Sequence, residues 1–168
     1  MAFLEITPEE LSVNPFRLIG KEWMLLTAGD TVHCNTMTAA WGGLGVLWNK
    51  PVTFTFIRPQ RYTKEFVDAA DSFSLCFFDA EYRKTLSYLG SVSGRDEDKI
   101  SKAALTTCYE DGIPYFAQAN LVLFCKKLYR QGLSPDCMLD ASIDAVCYPK
   151  QDYHDLYVGE ILRVLMRT

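Results

Sequence analysis

Histidine is scarce in this 168-residue chain, with His33 and His154 as its only two. Neither stands at metal-ligand or catalytic-triad spacing from a partner, which argues against a zinc centre and a histidine-driven hydrolase. A Gly-x-Ser-x-Gly elbow and a Gly-x-Gly-x-x-Gly fingerprint are also missing. Their absence speaks against an α/β-hydrolase and a dedicated dinucleotide domain. No cysteine pair lies at redox or metal spacing among Cys34, Cys76, Cys108, Cys125, Cys137 and Cys147, so all six read as reduced thiols. Apolar runs such as Leu121 to Phe124 fall far short of the roughly 20 residues that cross a bilayer. The opening residues lack a basic segment followed by an apolar one, so a soluble, cytoplasmic protein without a signal peptide is expected. Basic excess is absent too. With 17 Lys and Arg against 21 Asp and Glu, the net charge of -4 disfavours nonspecific nucleic-acid binding but leaves room for a local cationic cluster. Repeats, low-complexity tracts and linkers are lacking, and residues 1–168 read as one domain able to bury about 70% of its unfolded surface.

What is present is mostly strand. Trp23 to Ala28, the stretch around Thr36 to Trp41, and Pro51 to Ile57 are short runs rich in aromatic and β-branched residues. Helix formers occupy Tyr62 to Ala70, and Phe73 to Phe78 returns to strand. A polar helical region from Tyr82 to Leu105 is interrupted at Gly90 to Asp96, and strands are expected again at Tyr115 to Gln118, Asn120 to Leu128 and Leu156 to Leu165. Short helices are predicted after Thr7 and Asn14, where a cap precedes proline. Many short strands with an inserted helical pair favour an antiparallel barrel over a doubly wound sheet.

Two segments carry the chemistry. In Asn35 to Gly43, small and hydroxylated residues surround one large aromatic, which suits a backbone approached closely by a flat ligand; an ordinary strand ending in a glycine turn fits the same pattern. Arg58-Pro59-Gln60-Arg61-Tyr62-Thr63 supplies two guanidinium forks and two hydroxyls, the groups that hold a terminal phosphate. Thr63 is placed to cap the following helix, whose first N–H groups carry partial positive charge, and Lys64 to add a point charge. A flat ring and a phosphate together describe a mononucleotide-like cofactor.

From about Arg17 to Leu165 the chain resembles the flavin reductase-like proteins of the FMN-binding split barrel, which include flavoredoxins. The resemblance implies a mainly β, Greek-key split β-barrel that binds FMN. It sets Thr36, Met37, Thr38, Ala39, Ala40 and Trp41 along the isoalloxazine edge, and Arg58, Arg61, Tyr62 and Thr63 around the phosphate. Trp41 has core packing as its alternative role.

The segment Ser91 to Lys99 also resembles a family segment, which offers Ser93 and Lys99 as further contacts; the plain alternative is a helix capped by Asp96 with Lys99 exposed. His154 resembles a histidine of the family's final strand, near the face where substrate docks, with a hydrogen-bonded strand-start residue as the competing role. No protein residue is required as a catalytic acid or base, because the flavin carries the chemistry. The implied activity is electron transfer from NAD(P)H through FMN to flavin, iron or a protein acceptor. The alternative is a flavoredoxin-type carrier reduced by a protein donor. A homodimer with flavin near the interface is expected, since a small barrel has no spare domain to cover a flat cofactor.

Overall fold

The computed structural model describes residues 2–168, and its architecture follows from alternating apolar positions along ten strands. In chain order the elements are β1 (Phe3–Ile6), α1 (Pro15–Arg17), β2 (Met24–Gly29), β3 (Cys34–Ala39), β4 (Gly42–Leu47), β5 (Lys50–Ile57), α2 (Tyr62–Ala69) and β6 (Ser72–Phe77). They continue with α3 (Arg83–Ser91), α4 (Lys99–Lys102), β7 (Thr107–Glu110), β8 (Ile113–Phe116), β9 (Leu121–Gly132), α5 (Ala141–Cys147) and β10 (Asp155–Arg167). The main sheet runs β3-β2-β6-β9-β10-β5-β4, with β1 also on β10, and β7 and β8 form a separate ribbon. Every pairing is antiparallel. The sheet curls without closing, so the fold is the expected mainly β split barrel.

Two apolar clusters lie on either side of this sheet. Met24, Leu26, Phe73, Leu75, Leu123 and Tyr157 belong to one, and Leu25, Cys76, Leu86, Leu89, Val122 and Phe124 to the other. Neighbouring residues of β2, β6 and β9 alternate between the clusters, as the two-residue period of a strand buried on both faces requires. Cys76 and Cys125 are fully buried and Cys34 half-buried, all as free thiols. Gly159 brings β10 close to its neighbours: a Cβ there would lie 2.9 Å from the Phe73 ring and 3.0 Å from Cys125 Cβ. Among the described residues no helix is long and apolar enough to cross a membrane.

Several local expectations change. Gly42 and Gly43 do not end the segment in a turn; they start β4, which pairs with β5 through a tight hairpin at Trp48 and Asn49. Both turn residues have positive φ, 53° and 57°, the conformation of a two-residue hairpin whose twist matches its strands. Thr63 does not cap α2. Arg61 occupies the cap and Thr63 lies within the first turn, where its hydroxyl receives a hydrogen bond from Asn35 Nδ2 at 3.0 Å. Asp98, not Asp96, caps α4, by accepting from the Ser101 N–H at 3.1 Å. That shift turns Lys99 inward, and it is buried rather than exposed.

Candidate flavin site

Strand β3, the start of α2 and the loop after α3 meet around a cavity of about 330 Å³. Asn35 and Met37 reach it from β3, Arg61, Tyr62 and Thr63 from the start of α2, and Ser91, Ser93, Gly94 and Lys99 from the loop and α4. A second cavity of about 200 Å³ adjoins it, sharing Met37 and Arg61 and lined further by Thr38, Ala39, Ala40, Trp41, Phe56, Arg58 and His154. The two expected segments thus border two adjoining cavities that share Met37 and Arg61.

The first cavity is cationic for a reason that its helices supply. The C-terminal carbonyls of α3 have no partner within the helix, and cations satisfy them. Lys99 Nζ donates to the Leu89 and Val92 carbonyls at 2.9 and 3.1 Å, and Arg61 Nη1 donates to the Gly90 carbonyl at 3.0 Å. Neither cation has a carboxylate partner among the described residues. Burial first, and the nearby Arg61 charge second, depress the Lys99 ammonium to about 8. Since Arg61 carries five N–H donors and Lys99 three, both keep donors beyond those carbonyl bonds. The start of α2 adds partial positive charge at the same place. Gly94 makes the loop fit, because a Cβ there would lie 2.4 Å from Asn35 Oδ1 and 3.2 Å from the Tyr62 ring.

The second cavity sets aromatic rings beside Arg58 and Arg61. Trp41 is 48% exposed, and its ring centre lies 5.1 Å from that of His154. His154 is buried, with Nδ1 2.9 Å from the Tyr148 hydroxyl. Burial, followed by the Arg58 charge, lowers its imidazolium to about 4, so the ring is neutral near pH 7. Arg58 lines this cavity rather than the cationic one. Its guanidinium meets Asp152 Oδ2 at 2.6 Å, donates to the Cys147 carbonyl at 2.9 Å and lies 5.2 Å from the centre of the Tyr148 ring. Gln60 donates to the same carboxylate at 2.7 Å.

Two sequence-selected residues do not reach either cavity. Thr36 points into the sheet, where its hydroxyl lies 2.9 Å from that of Thr27 and 3.2 Å from the Leu26 carbonyl. Strand alternation explains this, since Asn35 and Met37 take the cavity side. Lys64 turns away to Asp68 and Asp155, at 2.7 and 3.0 Å. Asn35 opens the expected ring segment but was not among its expected contacts; Phe56 and Tyr148 lie outside both segments, and Tyr148 carries no signal detectable from spacing.

Cavities of larger or similar volume elsewhere are lined by neither expected segment. In one of about 320 Å³, Arg163 is tied to Glu5 and Glu110; in one of about 440 Å³, Arg17 meets Glu22 at 2.7 Å and Arg83 lies over the Trp23 ring. Volume alone therefore does not choose the site; the meeting of the two expected segments does.

Comparison with known proteins identifies the fold and the family. Residues 16–168 match the flavin reductase like domain. A flavoredoxin from Methanosarcina acetivorans superposes with a TM-score of 0.67 at 24% identity, covering 87% of this chain and 68% of that one. The FMN-binding domain of a flavin reductases-like enzyme from Shewanella baltica gives 0.70 at 16% identity, over 98% and 77%. An NADH:FAD oxidoreductase from Streptomyces globisporus, solved with NAD and FAD fragments, gives 0.64 at 16% identity, over 87% and 74%. A search of curated protein sequences gave no match. These structural likenesses establish the fold, and together with the domain match they support FMN as the cofactor. With the match spanning residues 16–168, the chain belongs to the flavin reductase-like family.

Proposed function

We propose that this protein binds FMN across the two adjoining cavities and passes electrons from NAD(P)H to a free flavin, iron or a protein acceptor. The observation that carries the reading is the pair Arg61 and Lys99, two cations without a carboxylate partner in a cavity next to one of aromatic lining. A phosphomonoester supplies the missing negative charge, and charge-assisted hydrogen bonds to it are the strong kind. Thr63, oriented by Asn35, adds a hydroxyl at the start of α2. Arg58, held by Asp152, belongs with the ring side in this reading, and Ser93 with the phosphate side.

When bound, FMN supplies hydride acceptance and electron release in one- or two-electron steps. The chain's own residues hold and orient it. Thr38 to Trp41 border the ring cavity, and in this reading their main chain reads the flavin edge, since fixed donors do so better than mobile side chains. Trp41 stays exposed enough to meet a second planar molecule. A homodimer is part of the proposal, because β4 is an outer strand with Val46 76% exposed and Trp48 55% exposed beside it.

Titration of purified protein with FMN, followed by anaerobic addition of NADH or NADPH, tests the reading. Uptake of FMN with rapid bleaching is expected. A yellow protein that bleaches only with dithionite assigns it instead to the flavoredoxin type of carrier, and failure to take up FMN overturns the reading.

A further inference from the structure

Resting on that reading, we propose that Tyr148 is a positioning residue that fixes the tautomer of His154, so that the ring cavity presents one N–H donor to a carbonyl oxygen of a bound planar ligand. The argument begins with hydrogen-bond satisfaction. Tyr148 is 5% exposed and His154 7%, and a hydrogen bond joins the phenol oxygen and Nδ1 at 2.9 Å. If Nδ1 carried the proton, the phenol hydrogen would be left without a protein acceptor in a buried place, which is costly. With Tyr148 donating to Nδ1, both groups are satisfied and the imidazole proton lies on Nε2.

Among the described residues Nε2 has no partner, yet none of their sealed-off side-chain nitrogens lacks one. Solvent therefore reaches Nε2, and the opening that His154 lines is the ring cavity. The pair is braced by neighbours in the cavity wall. Arg58 lies against the Tyr148 ring and is pinned by Asp152, while Trp41 and Phe56 flank the imidazole at centre distances of 5.1 and 6.4 Å. A rigid neutral donor beside aromatic surface suits a carbonyl on a flat ring. Two such carbonyls fit the proposed function, one on the flavin and one on the nicotinamide carboxamide.

The test separates the tautomer from its use. Nitrogen-15 spectra of the ligand-free full chain at pH 7 contain two imidazoles, and His33→Gln identifies that of His154. The expected spectrum shows Nε2 protonated and Nδ1 as a hydrogen-bonded lone pair; Tyr148→Phe should move Nδ1 towards an unbonded lone pair. A proton on Nδ1 in the unaltered protein, or an Nδ1 signal indifferent to Tyr148→Phe, overturns the assignment, whether or not the protein binds flavin. The wild-type spectrum decides even if the variant does not fold. In the FMN-loaded protein, Tyr148→Phe should weaken one step by about 3–10-fold, the scale of one hydrogen bond. A rise in the FMN dissociation constant identifies the flavin carbonyl, and a rise in half-saturating NADH at unchanged FMN affinity identifies the carboxamide. If neither moves, the donor is not used and the recognition part fails.

Discussion

Lys99 and Arg61 share the carbonyl end of one helix: the lysine holds the Leu89 and Val92 oxygens, the arginine holds the Gly90 oxygen between them in sequence. Two like charges are thereby fixed beside each other for structural reasons, and an anion resolves their repulsion. This juxtaposition gives the site a signature in pH. The Lys99 ammonium is lowered to about 8 from an ordinary 10.5, so between those values the unfolded chain holds more protons, and stability contributed by this group rises with pH. FMN binding has the opposite sign, because phosphate favours the charged ammonium. Affinity should be full below about pH 8 and fall above it by up to about tenfold per unit. Fluorescence titrations from pH 7 upwards check this, and Lys99→Met should flatten the profile while lowering the affinity at neutral pH.

Trp41 should report ring binding. It lines the ring cavity, whereas Trp23 lies under Arg83 and Trp48 sits in the β4–β5 hairpin near Tyr129. Addition of FMN is expected to quench tryptophan emission, with most of the change lost in Trp41→Phe. Undiminished quenching in that variant would place the flavin nearer one of the other two tryptophans.

Gly94→Ala should damage the phosphate side without touching a charge. The added methyl would overlap Asn35 Oδ1, displacing the residue that orients Thr63. Overpacking of this kind costs about 1–3 kcal/mol. Thermal unfolding should shift down, and FMN affinity should fall by about tenfold, the scale of one perturbed polar contact. A variant with unchanged affinity would show that the loop does not shape the site.

Much of this architecture was legible because burial on both faces leaves apolar runs and one-sided burial leaves alternation. β5, β6 and β9 follow such patterns, and α2 begins where Arg61 ends the extended stretch. The β7–β8 ribbon carries a readable signal in Asp111-Gly112, a strong hairpin dipeptide whose residues both have positive φ. α5 was hidden because Ile143 and Val146 are exposed, so its pattern does not mark a core face. At the site, Arg61, Tyr62, Thr63, Ser93 and Lys99 converge as the sequence suggested, and so do Met37 to Trp41 around the adjoining cavity. Arg58 differs because its partner is Asp152, a contact 94 residues away that no local pattern encodes. Burial of Lys99 was equally nonlocal, since it depends on the carbonyls that end α3.

Dimerisation should strengthen flavin binding if the exposed apolar residues Trp41, Val46 and Trp48 meet a second copy. Sedimentation across a dilution series, with and without FMN, is expected to show a dimer that is more resistant to dilution when loaded. A monomer that keeps full FMN affinity would remove the shared pocket from the account.

The phosphate assignment is tested most directly by comparing FMN with riboflavin, which has the same ring and no phosphate. The protein is expected to bind FMN more tightly by two orders of magnitude or more, since several charge-assisted bonds of about 1.5–3 kcal/mol each depend on the phosphate. Arg61→Ala should weaken FMN by roughly one to two orders of magnitude and leave riboflavin nearly unchanged, with Arg58→Ala acting less on this difference. Equal affinity for the two flavins, or an Arg61→Ala variant that preserves the difference, would contradict the placement of the phosphate between Arg61 and Lys99.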